Sequence, residues 1–142
     1  MAEKTSAHLR WIDGMKFLGR SESGHGVVMD SPKDPEHAGA SPMEHLLLAV
    51  AGCTAMDVVA ILGKMRQNVT GLEVAVEGER AEANPKRFTS IEMVYRVRGR
   101  GLSRDKVERA VELSQSTYCS ASATLRPDCA VTSRIELVEE PD

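Results

Sequence analysis

Residues 41–65 read SPMEHLLLAVAGCTAMDVVAILGKM, and this stretch decides the fold. It opens on a helix start, in which Ser41 is the N-cap and Pro42 takes the first helical position. Glu44 completes a capping box, because its carboxylate can accept the backbone N–H of Ser41. The sequence therefore predicts a helix that begins after Ser41 and ends near Met65.

Apolar residues surround this helix between positions 46 and 62, where only Thr54 and Asp57 add polar side chains apart from the thiol of Cys53. A helix that is hydrophobic on all sides is usually covered by other elements. We therefore expect it to form the centre of the core. Because the chain is small, we also expect a second subunit to cover part of this helix.

Short strands are predicted before the helix. Residues 7–12 alternate apolar with polar side chains, Asp13-Gly14 supplies a type I′ hairpin turn, and residues 15–18 continue the pattern. A third strand over residues 26–29 leads into a polar, proline-containing loop at 31–40. The N-terminal part is thus predicted to be a three-stranded β-structure.

Two long antiparallel strands, 72–76 and 91–97, are predicted after the helix because the apolar period returns to two. Ser103 precedes an amphipathic helix that ends near Cys119, and residues 131–137 form a last strand. The apolar or small positions of this second helix are Val107, Ala110, Val111, Ser114 and Tyr118. The order βββ-α-ββ-α-β predicts one antiparallel α+β domain over residues 1–142.

Composition excludes several classes of protein. The 142 residues carry 18 basic and 21 acidic side chains without a basic block, so we expect no nucleic-acid partner. The apolar, charge-free stretch 46–56 is too short for a bilayer, and no signal peptide is evident. We expect a cytoplasmic protein without a membrane partner. No CxxC pair or histidine spacing indicates a metal site.

Three cysteines, Cys53, Cys119 and Cys129, are the candidate reactive groups. Free cysteine also serves as a small hydrophobic residue in protein cores, so packing alone could explain each of them. Only a thiolate attacks, and apolar burial disfavours it, so a reactive Cys53 requires a cationic partner. Glu44 has a structural explanation as a capping residue, and a second one as a carboxylate that orients a guanidinium beside the thiol.

The segments SPMEHLLL (41–48) and GCTAMD (52–57) resemble the signature helix of the OsmC/Ohr family, the osmotically inducible and organic hydroperoxide resistance proteins. The motif Tyr118-Cys119-Ser120, between the last helix and the last strand, resembles the second cysteine motif of that family. The predicted order of elements agrees over the whole chain. The resemblance implies an intertwined homodimer, in which antiparallel sheets wrap around paired central helices and the active sites lie at the subunit interface.

The resemblance also implies an antioxidant function in oxidative stress, namely a thiol-dependent peroxidase that reduces organic hydroperoxides. Cys53 would attack the peroxide and become a sulfenic acid, and Cys119 would resolve it as a disulfide. Glu44 would orient the activating cation. An external dithiol reductant would restore the thiols, and no bound cofactor or metal is implied.

One feature departs from the family pattern. Active peroxidases of the family stabilise the thiolate with an arginine, which in some members precedes the signature helix, whereas the loop at 31–40 contains Lys33 and no arginine. Arg10 and Arg20 are the other candidate cations. The alternative function is therefore a dimeric protein that binds a hydrophobic ligand or senses redox state without significant peroxidase turnover.

Overall fold

A computed structural model describes residues 2–141, which form an N-terminal unit ending at Leu46 and a C-terminal unit beginning at Leu47. The elements are β1 (Ala7–Asp13), β2 (Lys16–Ser21), β3 (Gly26–Met29), α1 (Pro42–Lys64), β4 (Asn68–Arg80), β5 (Phe88–Arg100), α2 (Arg104–Leu113), a π-helical turn (Ser114–Tyr118), α3 (Ser120–Thr124) and β6 (Ala130–Glu139). The α+β class and the predicted order of the strands and the two main helices are confirmed. The prediction of one domain over residues 1–142 stays a prediction.

The N-terminal unit is an antiparallel sheet with the order β1-β2-β3. Its first turn differs from the predicted one, because Asp13 still belongs to β1 and pairs with Lys16. The turn residues are Gly14 and Met15, and of these only Gly14 takes a positive φ, 51°. A type I′ turn needs positive φ at both positions, whereas a type II′ turn needs it only at the first, where glycine is preferred.

The loop after β3 is organised by the buried carboxylate of Asp30. Its oxygens accept backbone N–H groups from Ala38 at 2.9 Å and from Ser31 at 2.7 Å. The Ala38 bond, the Ser31 bond and the nearby Lys16 ammonium together hold the pKa of Asp30 below its usual value, against the opposing effect of burial. The chain then passes so close to Val28 at Gly39 that a side chain would collide with the backbone.

α1 begins with the predicted capping box. Ser41 N–H donates to Glu44 Oε1 at 3.0 Å, and Glu44 N–H donates to Ser41 Oγ at 3.2 Å. α1 has 23 residues, and an 18-residue stretch within it has a mean hydropathy of 2.2, which is the length and composition of a membrane span. The charge-free stretch 46–56 did not indicate this, because it ends before Asp57. Core helices of soluble proteins have the same properties, and Val50 and Val58 are fully buried within this chain.

The sheet of the C-terminal unit has the order β4-β5-β6. β4 and β5 are antiparallel as predicted, but β6 is parallel to β5, with Ser90 opposite Ala130 and Gly99 opposite Glu139. The prediction of purely antiparallel sheets was therefore wrong for this pair. Because a helical segment separates β5 from β6, the chain can return to the starting edge and run in the same direction.

The core of the C-terminal unit lies on one face of this sheet. Alternate side chains of β5 are buried, as the period of two predicts. They are covered by apolar positions of α1 and α2, which the 3.6-residue period places on one side of each helix. The fully buried apolar members are Val50, Val58, Leu62, Ile91, Met93, Tyr95, Val97, Val107 and Ala110.

A π-helical turn closes the predicted second helix. The N–H of Cys119 donates to the carbonyl of Ser114 at 2.7 Å, a five-residue interval that places one extra residue in the turn. This turn changes the helical phase, so that Tyr118 is 57% exposed and Cys119 is buried. The prediction that Tyr118 continues the apolar face was therefore wrong.

We predict that Val107→Ala lowers the free energy of unfolding by about 1–3 kcal/mol, because it removes two methyl groups from a fully buried site. Urea denaturation would measure this loss. The matched control is Lys106→Ala, an exposed neighbour in α2, which we expect to change stability by less than about 0.5 kcal/mol. Equal effects of the two changes would contradict the placement of this core.

Candidate thiol site

The structure brings Cys53 and Cys119 together, although 66 residues separate them in the sequence. Both sulfur atoms and a carboxylate oxygen of Asp57 lie within 4.8 Å of one another. Cys53 is half-buried, whereas Cys119 is only 4% exposed. The site is thus a pair of thiols beside a carboxylate, one on a half-buried residue and one on a buried residue.

Local structure explains how the three groups meet. Cys53 and Asp57 are four residues apart on α1, so they lie on the same side of the helix one turn apart. Cys119 directly follows the π-helical turn, whose extra residue directs the chain inward. The short α3 then begins, and Cys119 is its N-cap.

A buried chain of hydroxyl groups leads to Asp57. Ser114 Oγ donates to Asp57 Oδ2 at 2.9 Å, and an ionised carboxylate can only accept. Because its single proton is donated to Asp57, Ser114 must accept the hydrogen bond that joins it to Thr54 Oγ1 at 2.8 Å. Thr54 has then donated its own proton, so it accepts the hydrogen bond from Tyr95 Oη at 2.9 Å. The Nε2 of Gln115 donates to both Thr54 and Tyr95. Hydrogen bonds in such a chain polarise one another toward the carboxylate.

The surroundings of Cys119 keep its thiol protonated. Burial raises the pKa of Cys119, and Cys53 raises it further, while the hydroxyl and backbone N–H of Ser122 partly oppose both. The Cys119 Sγ–H donates to Ser122 Oγ at 3.1 Å, and Ser122 N–H donates to the sulfur at 3.4 Å. None of these influences on the pKa is a cation.

Cys129 and Glu44 lie apart from this cluster. Cys129 is buried before β6, where burial raises its pKa and the neighbouring Arg87 opposes the change. Glu44 precedes Cys53 by nine residues on α1, a rise of about 13 Å along the helix. Its carboxylate binds Ser41, and these hydrogen bonds lower its pKa. The carboxylate that lies beside the thiols is that of Asp57. The role of Glu44 in orienting a cation stays a prediction.

Within the described residues, the three candidate cations for activating Cys53 are not engaged in ion pairs. Arg10, Arg20 and Lys33 are all exposed residues of the N-terminal unit. Among residues 2–141, no ion pair within 4.0 Å involves any of them. The identity of the activating cation therefore stays a matter of prediction.

Sequence reasoning missed the part that Asp57 plays in the site. Asp57 and Thr54 were recognised as the polar exceptions on an apolar helix, and the structure uses both. The signal available was the four-residue spacing of Cys53 and Asp57, which places a thiol and a carboxylate together. Ser114 and Ser122 carried no comparable signal, because their positions depend on the π-helical turn.

Comparison with known proteins gives the same family at the level of sequence. Residues 34–134 match the family model described as OsmC-like protein. The chain is 42% identical over 132 residues to protein YhfA of Escherichia coli strain K12, and the alignment covers 93% of this chain and 97% of that protein. The resemblance found in the signature helix is therefore confirmed over most of the chain.

Solved structures show the same fold. A crystal structure of a hypothetical protein from Aquifex aeolicus VF5 has a TM-score of 0.88 and 28% identity, covering 99% of this chain and all of that one. The organic hydroperoxide resistance protein OhrB of Bacillus subtilis has a TM-score of 0.65 and 17% identity, covering 94% and 98% respectively.

We predict that Ser122→Ala raises the pKa of Cys119 further. The hydroxyl of Ser122 accepts from the neutral thiol but donates to the sulfur once the thiol is ionised, and the variant removes this support for the thiolate. At fixed neutral pH, alkylation of Cys119 by iodoacetamide should slow by about 2- to 10-fold, the equivalent of one hydrogen bond. Mass spectrometry that quantifies each labelled cysteine across a pH series would measure the change. Ser120→Ala, an exposed serine of the same short helix, is the control and should leave the profile unchanged.

Proposed function

The chain belongs to the OsmC family, and from that premise we propose that it is a thiol-dependent peroxidase that reduces organic hydroperoxides. The observation that carries the proposal is the meeting of Cys53 and Cys119, whose sulfur atoms lie within 4.8 Å of each other. A disulfide needs about 2.05 Å, so the sulfurs must approach by less than about 3 Å. Side-chain rotation about χ1 supplies a movement of that size.

Exposure favours Cys53 as the sulfur that meets the peroxide. It is half-buried, whereas the buried Cys119 has a raised pKa and remains a thiol at neutral pH. The Cys53 thiolate attacks the distal oxygen of ROOH, which forms an S–O bond and breaks the O–O bond. The departing alkoxide takes a proton and leaves as ROH, and Cys53 becomes a sulfenic acid.

Cys119 is placed to resolve that sulfenic acid. Its sulfur attacks the sulfur of Cys53, hydroxide leaves, and the proton of the Cys119 thiol completes a water molecule. The product is a Cys53–Cys119 disulfide. An external dithiol reduces it by exchange and itself becomes a disulfide, so no bound cofactor is needed.

The thiolate of Cys53 needs a positive charge that offsets the carboxylate of Asp57. Arg10, Arg20 and Lys33 are the candidates for this charge. Glu44 would orient the cation, since its second oxygen remains available while the first accepts the N–H of Ser41. Arginine fits this task better than lysine, because its planar guanidinium can bind a carboxylate with two hydrogen bonds.

An apolar neighbour of Cys53 favours substrates with an organic tail. Met56, one helical turn along α1, is 75% exposed and could contact such a tail. Burial of apolar area contributes roughly 25 cal/mol per Å², a gain that hydrogen peroxide cannot provide. The name of the Bacillus subtilis protein, which shares the fold, agrees with this substrate class.

A homodimer would cover the surface that α1 leaves open. On the side of α1 away from the core, Met56 and Val59 are exposed by 75% and 52%. Ala60 is also exposed, and no charged residue interrupts the helix between Asp57 and Lys64. A second copy offers the same apolar surface, as a two-fold symmetric interface requires. We therefore place the paired α1 helices at the centre of a dimer in this proposal.

A second candidate function is the binding of a hydrophobic ligand, and one observation favours it. An apolar cavity of about 350 Å³ lies within the N-terminal unit, and Asp30 and Ser31 are the polar residues of its lining. Its apolar lining consists of Leu9, Met15, Phe17, Met29, Pro32 and Pro42. The size lies within the range of small-molecule sites. In this alternative, the cysteines would be packing residues or slow redox sensors.

We predict that one equivalent of cumene hydroperoxide joins Cys53 to Cys119 and leaves Cys129 reduced. Cys53→Ser should reduce peroxide consumption to the background rate, because the attacking sulfur is lost. Cys119→Ser should allow one turnover and leave a sulfenic acid on Cys53, which further peroxide can overoxidise. Peptide mapping by mass spectrometry and a peroxide-consumption assay would measure these outcomes.

Cys129→Ser is the matched control, since this buried thiol lies outside the cluster and its loss should change neither result. A dominant disulfide through Cys129 would rule out the mechanism. Unoxidised Cys53 after treatment would favour the ligand-binding alternative.

We predict that Val59→Lys dissociates the dimer. In an isolated chain the half-exposed Val59 tolerates lysine, but in a helix-paired dimer the change buries an unpaired charge. The cost of several kcal/mol should raise the dissociation constant more than about 100-fold. Sedimentation velocity would measure it, with Thr132→Lys, an exposed position on β6, as the control. A folded wild-type monomer at low micromolar concentration would contradict the proposed assembly.

A further inference from the structure

The thiol site contains more ligand atoms than a disulfide needs. Two sulfurs and a carboxylate oxygen converge from α1 and from the chain after the π-helical turn, all within 4.8 Å of one another. A disulfide uses only the sulfurs of Cys53 and Cys119. The carboxylate of Asp57 has no part in the proposed chemistry and acts against it, since a negative charge disfavours a neighbouring thiolate.

We propose that Cys53, Cys119 and Asp57 bind one zinc ion when both thiols are reduced. Thiolate sulfur and carboxylate oxygen are common zinc ligands, with bond lengths of about 2.3 Å and 2.0–2.2 Å. Tetrahedral bonding at these lengths separates neighbouring ligand atoms by about 3.5–3.8 Å. The observed limit of 4.8 Å therefore requires neighbouring ligand atoms to approach one another by at most about 1.3 Å.

The charges of the site favour a divalent cation. Two thiolates and a carboxylate carry three negative charges in a space where Cys119 is buried and Cys53 is half-buried. Such a group of charges is stable only if a cation lies among them. Soft sulfur ligands select zinc over magnesium and calcium, which prefer oxygen.

The surroundings of the ligands resemble those of metal sites in one further respect. Neighbouring groups hold two of the three ligands in place, because Ser114 binds the carboxylate of Asp57 and Ser122 binds the sulfur of Cys119. Asp57 can keep this bond and still bind a metal, since it has two oxygens. Partners of this kind orient metal ligands and tune their affinity. The fourth position would be left to water on the solvent side of Cys53.

Zinc binding and disulfide formation exclude each other. Zinc binding releases one proton from each thiol, whereas oxidation by one equivalent of hydroperoxide converts both sulfurs into a disulfide, with ROH and water as products. A disulfide leaves only the carboxylate of Asp57, so the ion would be released. Metal binding itself needs no peroxidase turnover, so the two proposals can fail independently.

Cobalt(II) substitution in the fully reduced, intact protein tests the site without peroxide. We expect one cobalt per chain, a sulfur-to-cobalt charge-transfer band and the visible bands of a tetrahedral ion, all displaced by zinc. Zinc affinity would be measured by competition with a chromophoric chelator. Asp57→Asn removes the carboxylate ligand and should weaken zinc binding by more than about tenfold. Loss of a group that only supports a metal ligand already weakens metal binding by about tenfold or more.

Asp57→Asn keeps an oxygen that can accept from Ser114, so the fold should survive, and circular dichroism would verify it. Cys53→Ser is the second variant and should abolish the charge-transfer band or halve it. Cys129→Ser is the control and should leave stoichiometry and affinity unchanged. Cobalt bound without the charge-transfer band, equal affinity in Cys53→Ser, or no binding at micromolar metal would each overturn the proposal.

Discussion

The hydroxyl group of Thr54 fixes the position of α1 on the sheet. It is fully buried and hydrogen-bonded to Tyr95 on β5, to Ser114 in the π-helical turn and to Gln115. A buried hydroxyl without partners costs several times what each bond contributes, so α1 cannot slide or rotate without losing stability. Cys53 precedes Thr54 and Asp57 follows it by three residues. The same constraint therefore places the sulfur and the carboxylate.

The π-helical turn is the second half of this arrangement. Had α2 continued with regular geometry, Tyr118 would have remained on the buried face that its spacing indicated. The bond from Cys119 N–H to the Ser114 carbonyl widens the turn and brings the thiol inward instead. Ser114 thus has two functions, because its carbonyl shapes the turn while its hydroxyl joins Thr54 to Asp57. Widened turns of this kind often occur at functional sites.

Local signals in the sequence were sufficient for α1, because a capping box and a continuous apolar pattern act within a few residues. The strands of the C-terminal sheet were predicted correctly as strands, but the predicted segments are shorter than the observed ones. Backbone hydrogen bonding between neighbouring strands continues beyond the apolar residues on which the predictions were based. The parallel direction of β6 and the phase of Tyr118 could not be predicted, because both depend on how the chain returns after β5. The meeting of Cys53 and Cys119 came from family resemblance alone, since no local pattern relates residues so far apart.

Asp57 makes the electrostatics of the site unusual for a nucleophilic thiol. A catalytic cysteine normally lies beside a positive charge, whereas here the two thiols lie beside a carboxylate that accepts a hydrogen bond from Ser114. The C-terminal unit therefore leaves its thiols in need of positive charge. A guanidinium would satisfy the need while keeping Cys53 free to attack, and a zinc ion would satisfy it by occupying both sulfurs. Which state prevails would then depend on the concentrations of zinc and peroxide. Zinc occupies the thiols that peroxide would oxidise, and peroxide oxidises the thiols that zinc would bind.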